Sequence, residues 1–484
     1  MVLNNNFTTA VSNDLIASGN LTVNTCKIVE VSPDDYIQVN ENLINNGSFT
    51  VFNNGSLIQV NDSGVNTGTI TYQRTAMARN LDYVYWSSPV AAFNVNNLPN
   101  NYRYIWNTTI ANTNGGQGNW VAASGNMIAG KGYIARASNG SATPIATTTS
   151  FVGVPNNGVV RMPILRGSYQ DVDYAGTNNI TITRFSDNWN LVGNPYPSAI
   201  NVDEFLDLNT NIEGAVRIWT HGTLPSSSID NPFYGSYQAN YTPDDYITHN
   251  GVGTDSGPIG FNGFIAGGQG FMINMLDGAA GSDDLIFNNS LRSKTYNNSQ
   301  FYRTSNEKNR IWLDLINNSN NTAKRTLIGY VGNATNDKDR LYDAFTSVGT
   351  TMHLYSIIAN DKMTIQGRQL PFDANDKVNL GYFVPTSGNY SIGIAALDGL
   401  FASGQNIYLE DKLLGVIHDL RSNPYSFSAN AGEVNNRFVL RYTNETLGGD
   451  DFINNSNVLI FSSDVISVNA MSRTIQNVKI YNVL

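Results

Sequence analysis

The sequence predicts an all-β protein of several domains, and three observations carry that reading. Charged residues make up 14% of the 484 residues, against a usual share of about 25%, and 69 Asn outnumber all Asp, Glu, Lys and Arg together. The acids are 30 Asp and only 8 Glu; Glu and Lys build solvated helix faces, whereas Asn, Asp, Gly, Ser and Thr build turns and caps. Short runs of Tyr, Val, Ile and Thr, which suit pleated, half-buried surfaces, recur between those turns. With 41% hydrophobic and 11% aromatic residues the chain has ample core material and is not a disordered composition. Its length suggests about three domains.

Residues 1–75 read as β-solenoid-like repeats. The runs Gly19–Val23, Tyr36–Val39, Gly47–Val51, Gly55–Val60 and Gly68–Tyr72 are separated by Asn/Gly/Ser turns. Gly47-Ser and Gly55-Ser start 8 residues apart, and the other spacings are irregular. Stacked units of this kind bury each other's apolar faces.

Residues 76–300 read as a duplicated β-module, with copies at about 80–150 and 185–290. The first copy runs Tyr83-Val-Tyr-Trp86-Ser-Ser-Pro89, Asn94-Val95, Arg103-Tyr-Ile-Trp106 and Ile128-Ala-Gly-Lys-Gly-Tyr133. The second runs Trp189-Asn-Leu-Val-Gly-Asn-Pro195, Asn201-Val202, Arg217-Ile-Trp219 and Ile265-Ala-Gly-Gly-Gln-Gly-Phe271. The offset grows from 106 at the prolines to 113 at the tryptophans and 138 at the glycines, so the second copy carries insertions, chiefly Thr220–Asn262. That insertion is rich in Gly, Pro, Ser and Tyr and reads as a long loop region. Asn201 caps a short helix with Val202, Phe205 and Leu206 on one face. Gly130-Lys-Gly132 and Gly268-Gln-Gly270 read as equivalent strand-entry turns.

Residues 301–446 read as a β-sandwich, jelly-roll-like, from nine strand-like runs between Ile311 and Tyr442 spaced by turn residues. A Gly/Asp/Asn linker opens the last segment, 447–484, which carries two more strand-like runs, Val458–Phe461 and Val478–Tyr481.

A net charge of −10 and a pI near 4.9 argue against nucleic acid, whose partners carry basic stripes. Cys26 stands alone, which excludes an intramolecular disulfide and a four-cysteine zinc site. No apolar run reaches the roughly 18 residues of a membrane span. Met1–Asn6 has neither a basic nor an apolar leader region.

Catalytic signatures are absent from the sequence: there is no Gly-x-Ser-x-Gly elbow and no phosphate loop. His221, His249, His353 and His418 are scattered without metal spacing, and no pair among the 38 acids stands out as a glycosidase pair. No catalytic residue is assigned. The candidate ligand-binding residues are Phe233, Tyr234, Tyr237, Tyr241 and Tyr246, because loops carry function and Tyr suits adaptable contact. Asn336, Asp337, Asp339 and Asp343 offer hard oxygens within eight residues and are the candidate Ca2+ ligands, although the EF-hand glycine and distal Glu are missing. The paired tryptophans Trp106 and Trp219 are expected in the core.

Several segments resemble surface proteins exported by the type IX secretion system of Bacteroidota, flavobacterial ones above all. They are Tyr85-Trp-Ser-Ser-Pro-Val90, Asn190-Leu-Val-Gly-Asn-Pro-Tyr-Pro-Ser198, Gly268-Gln-Gly-Phe271, Thr364-Ile-Gln-Gly-Arg368, Ile407-Tyr-Leu-Glu-Asp-Lys412 and Phe438-Val-Leu-Arg-Tyr-Thr443. The tail Ile475–Leu484 resembles the first part of a type A sorting domain, without that family's following strands. The resemblance implies a lost signal, an outer-surface or extracellular location and the type IX machinery as a partner of the tail. The expected function is a non-enzymatic, adhesin-like binding or display stalk that meets a surface glycan or protein. The alternatives are a secreted glycan-active enzyme or carbohydrate-binding accessory, and a spacer for a lost N-terminal effector.

Overall fold

The computed structural model describes residues 1–9, 14–113, 115–137, 141–167, 172–177, 181–185, 187–220, 222–223, 226, 245–257, 261–278, 280–295, 308–346, 351–444, 458–462 and 466–470. Residues Met1–Tyr442 form one unit and Thr443–Leu484 another.

The chain begins as a three-faced β-solenoid. Its first coil holds β1 (Val2–Leu3), β2 (Phe7–Thr8) and β3 (Leu15–Ala17). The second holds β4 (Leu21–Val23), β5 (Ile28–Val31) and β6 (Tyr36–Val39), and the third β7 (Leu43–Asn45), β8 (Ser48–Val51) and β9 (Ser56–Gln59). Each strand pairs in parallel with its counterpart one coil on. Val2, Thr22, Ile44 and Thr67 stack in one file, so a coil takes 20 to 23 residues. The expected rungs are therefore single faces of a coil, and the 8-residue Gly-Ser spacing is a step round one corner. Alternate residues point inward: Leu21, Val23, Val29, Val31, Ile37, Val39, Leu43 and Leu57 are fully buried.

The asparagines explain why the coils stack. Oδ1 of Asn20 accepts from the backbone N and amide of Asn42 at 3.1 and 2.9 Å, and the Asn53 side chain accepts from Thr75 N at 2.9 Å. Asn66 accepts from Leu43 N at 3.2 Å, and Asn6 from Ile28 N at 3.0 Å. Each corner Asn thus satisfies a backbone donor of a neighbouring coil. The solenoid leaves through β10 (Ile70–Ala78), which pairs with β8 in parallel and with β15 (Ile145–Gly153) antiparallel; the sheet order is β15-β10-β8-β5-β2.

Between β10 and β15 lies the first module. It contains β11 (Tyr83–Trp86), a 3-10 turn at Val95–Asn97, β12 (Arg103–Ala111), β13 (Gln117–Ala122) and β14 (Tyr133–Arg136), in the order β11-β14-β12-β13. The second module repeats it with Trp189–Gly193, α1 (Val202–Leu208), Ala215–Trp219, Tyr246–Asn250 and Gly270–Asn274, in the same order of first, fourth, second and third strand. The local logic repeats as well. The Asn94 side chain accepts from Asn96 N at 2.9 Å, and Asn201 accepts from Asp203 N at 2.8 Å, each capping the turn that follows. Helix α1 buries Val202, Phe205 and Leu206, as its spacing predicts.

From Lys308 to Arg441 the described residues of the unit build an eleven-stranded sheet. All nine expected runs are strands, and two short ones, Ala344–Phe345 and Val416–Asp419, were not foreseen. The edge strands Val416–Asp419 and Tyr425–Ala429 return towards one another, with the His418 and Tyr425 rings 5.3 Å apart, so the sheet nearly closes around its core. Inside it, the Arg437 guanidinium meets the fully buried Asp411 at 2.7 Å, and Tyr425 OH donates to the same carboxylate at 2.8 Å. That satisfies the charge that burial would otherwise penalise. No helix among the described residues is long and apolar enough to cross a membrane.

In the second unit Val458–Ser462 pairs antiparallel with Ile466–Ala470, a strand the sequence reading missed. The expected run Val478–Tyr481 and the tail Ile475–Leu484 lie outside the described residues.

Candidate functional site

The two modules meet along a seam with two-fold pseudosymmetry. Ser87 N donates to Gly268 O at 2.8 Å, and Gly193 N donates to Gly130 O at 2.9 Å. These are one contact made twice, because Ser87 and Gly193, and Gly130 and Gly268, are equivalent repeat positions. The bridges Trp86–Gln269 and Lys131–Val192 are related in the same way. The close approach requires glycine: a Cβ on Gly132 would sit 2.6 Å from Val192 O and from Leu191 Cγ, and one on Gly270 3.1 Å from Trp86 O.

Side chains at equivalent positions fill the seam. Tyr85 and Leu191 are one such pair, Ile134 and Met272 the other, and together they are its buried centre. A wall of half-buried aromatics packs on this centre. Trp219 stacks on Tyr85 at 5.9 Å and 12°, while Trp120 meets Tyr85 edge-on at 6.2 Å and Trp106 at 5.1 Å. Tyr246 packs on Trp219 at 4.9 Å, and its hydroxyl meets that of Tyr85. Trp106 Nε1 donates to Trp189 O at 2.8 Å, and Arg217 lies over the Trp189 ring at 5.6 Å. Burial lowers the Arg217 pKa to about 10, against the upward pull of Asp255 and Glu213; its Nη2 donates to Phe345 O at 2.7 Å. The expected core role of Trp106 and Trp219 is thus a seam role, with both rings half-buried.

The long insertion springs from this wall. Asp245 clamps its root: Thr223 N donates to both carboxylate oxygens at 3.0 Å, Thr223 Oγ1 to Oδ1 at 2.9 Å, and Thr220 Oγ1 to Asp245 O at 2.7 Å. Of the five candidate binding aromatics, Tyr246 is the first residue of a strand rather than part of a loop, paired with Trp219 across the hairpin. Phe233, Tyr234, Tyr237 and Tyr241 lie outside the described residues. Sequence reasoning missed Asp245 as the clamp and Tyr85 as the pivot of the seam. The repeat alignment, which already paired their neighbours, was the signal that could have found Tyr85.

Asn336, Asp337, Asp339 and Asp343 do come together, as a self-satisfied turn. Thr335 N donates to Asp339 Oδ2, Asp339 N to Asp343 Oδ2 at 2.6 Å, and Gly367 N to Asp343 Oδ1 at 3.0 Å. Arg368 Nη1 donates to Asn336 O at 3.3 Å, and Asp337 N donates to Thr335 Oγ1 at 3.2 Å. Asp343 is buried, and desolvation raises its pKa to about 7 against the lowering effect of those two backbone donors. Among the described residues no group of three or more His, Cys, Asp or Glu side chains is placed to hold a metal ion. His249, on the third strand of the second module, shares a hydrogen bond between Nδ1 and Thr254 Oγ1 at 2.7 Å.

The family described as a domain of unknown function, DUF8693, matches residues 1–442, and the chain belongs to that family. The chain is also similar to the minor fimbrium subunit Mfa5 of Porphyromonas gingivalis, with 26% identity over 272 residues, which is 53% of this chain and 21% of that protein. The chain therefore matches about a fifth of the length of that curated relative. No solved structure matches.

Proposed function

We propose that this DUF8693 chain is a cell-surface β-scaffold that works by display and binding, without bond chemistry. The reading is supported by its similarity to a fimbrial subunit of a Bacteroidota species and by the design of the inter-module seam. There the longest insertion is rooted by Asp245 on a rigid aromatic wall, and binding loops are held by rigid scaffolds of this kind. The ligand is a surface glycan or protein, and the half-buried Trp and Tyr faces suit stacking on either. The tail Ile475–Leu484 addresses the chain to the type IX machinery, in keeping with the resemblance of its sequence to a sorting domain.

The test is a glycan array together with an adhesion assay on host and bacterial cells, using the folded chain and a variant with residues 227–244 replaced by a Gly-Ser linker. Binding that the replacement abolishes supports the reading. Blank arrays and no adhesion by the folded chain remove ligand binding as its role and leave the stalk.

A further inference from the structure

Natural sheets protect their edges with Lys, Pro, bulges or very short strands, and β15 has none of these. It is nine residues long, Ile-Ala-Thr-Thr-Thr-Ser-Phe-Val-Gly, without a charge or a proline. It pairs with β10 on one side only, in unbroken register from Ile70–Gly153 to Ala78–Ile145. No described residue pairs with its other side, and the backbone of Ile145–Gly153 makes no hydrogen bond beyond that ladder among the described residues. The opposite edge of the same sheet is β2, only two residues long.

The outer face of this edge carries Ala146, Thr148, Ser150 and Val152, all exposed, while Thr149 and Phe151 point into the core. Val152 is 54% exposed, and Met77, beside Ala146 on β10, is 55% exposed. We propose that two copies of this chain pair antiparallel along Ile145–Gly153, with the two-fold axis at Thr149, joining their five-stranded sheets into one.

That register keeps every inward residue inward, which a one-residue slip would not. It sets Ala146 opposite Val152 of the second copy, and Thr148 opposite its Ser150. Apolar then meets apolar and hydroxyl meets hydroxyl, twice over. Ala146 is small enough for Met77 to reach across it to Val152 of the second copy. A chain of net charge −10 approaches a copy of itself at least cost along an uncharged strip. The occupant is therefore a second copy. One strand edge offers less than the roughly 800 Å² per partner of a standard interface, so the dimer is weak in dilute solution. Tethering at a surface strengthens it through effective concentration.

The test is sedimentation velocity of the full chain over a wide concentration range. A reversible monomer–dimer equilibrium is expected. The exposed double substitution Thr148→Lys, Ser150→Lys places like charges directly opposite one another twice and weakens the dimer roughly tenfold or more. Thr148→Glu, Ser150→Glu does the same, and mixing the Lys and Glu variants restores dimers. In a Cys26→Ser background, Thr148→Cys chains mixed with Ser150→Cys chains form a mixed disulfide on oxidation. A monomer at every concentration, with an unchanged circular dichroism spectrum, overturns the proposal. So does a dimer that the Lys variant leaves intact, or an edge that takes up an added β-strand peptide and never a second copy.

Discussion

Replacing Asn194 with Ala tests the packing logic where the second module meets the solenoid. Asn194 is fully buried. Its amide donates to Ser198 O, Ile265 O and Ala266 O at 2.8, 2.9 and 3.1 Å, and its Oδ1 accepts from Tyr196 N at 3.0 Å. The substitution orphans one buried N–H, at about 1–3 kcal/mol, and weakens three carbonyls; together with the small cavity the loss is roughly 3–5 kcal/mol. The loop it holds also anchors the neighbours: Tyr196 OH donates to Gly158 O at 2.6 Å, Leu57 N to Pro197 O at 2.8 Å, and Arg292 lies 4.5 Å over the Tyr196 ring. Urea unfolding followed by tryptophan fluorescence reads the loss, and hydrogen exchange around Ile265–Ala266 localises it. The exposed Asn436→Ala is the control and stays within about 0.5 kcal/mol of the parent. An Asn194→Ala protein within about 1 kcal/mol of the parent would refute the claim that this side chain fixes the loop through which the second module meets the solenoid.

The pseudo-dyad makes an unequal pair of predictions. Gly132→Ala drives a Cβ to 2.6 Å from backbone, whereas the equivalent Gly270→Ala meets backbone at 3.1 Å; the first costs about 1–3 kcal/mol and the second clearly less, as urea midpoints will show. Asp343 has a folded pKa of about 7 against an ordinary 3.8, set by burial, with Asp339 raising it and Arg368 lowering it. The folded state therefore holds the proton longer than the unfolded one, and its contribution is lost as pH rises from about 4 to about 7. Asp343→Asn should flatten that part of the pH–stability curve; an unchanged slope counts against the assignment. Asn42→Ala keeps its backbone N–H on Asn20 but removes the side-chain bonds to Asn20 Oδ1 and from Val65 N, at about 1 kcal/mol, and hydrogen exchange should rise in the solenoid coils while the eleven-stranded sheet keeps its protection.

The fold class and the duplication were legible because both rest on local chemistry. Turn-forming Asn and Gly between β-branched runs predict strands, and a repeated order of Trp, Pro, Asn-Val and Gly-x-Gly predicts two sheets of one topology. What the sequence hid depends on contacts distant along the chain. The solenoid's coil length emerges only when Val2 stacks on Thr22, and Ile44 on Thr67. The surplus Asn reads as turn chemistry, yet much of it bonds one coil to the next. Tyr246 reads as a loop residue because it lies in the Gly-, Pro-, Ser- and Tyr-rich insertion, which has no strand periodicity, and the ladder to Trp219 overrides that local signal. The Asp337–Asp343 run reads as a set of hard oxygens, and the sequence does not show that backbone amides of Thr335, Asp339 and Gly367 donate to the carboxylates of Asp339 and Asp343.

Display at a bacterial surface can be read by labelling intact cells of the producing bacterium with an antibody to the Met1–Tyr442 unit, before and after mild external protease. Strong labelling of unbroken cells, removed by the protease, is expected. Labelling that appears only after the cells are lysed would contradict surface display.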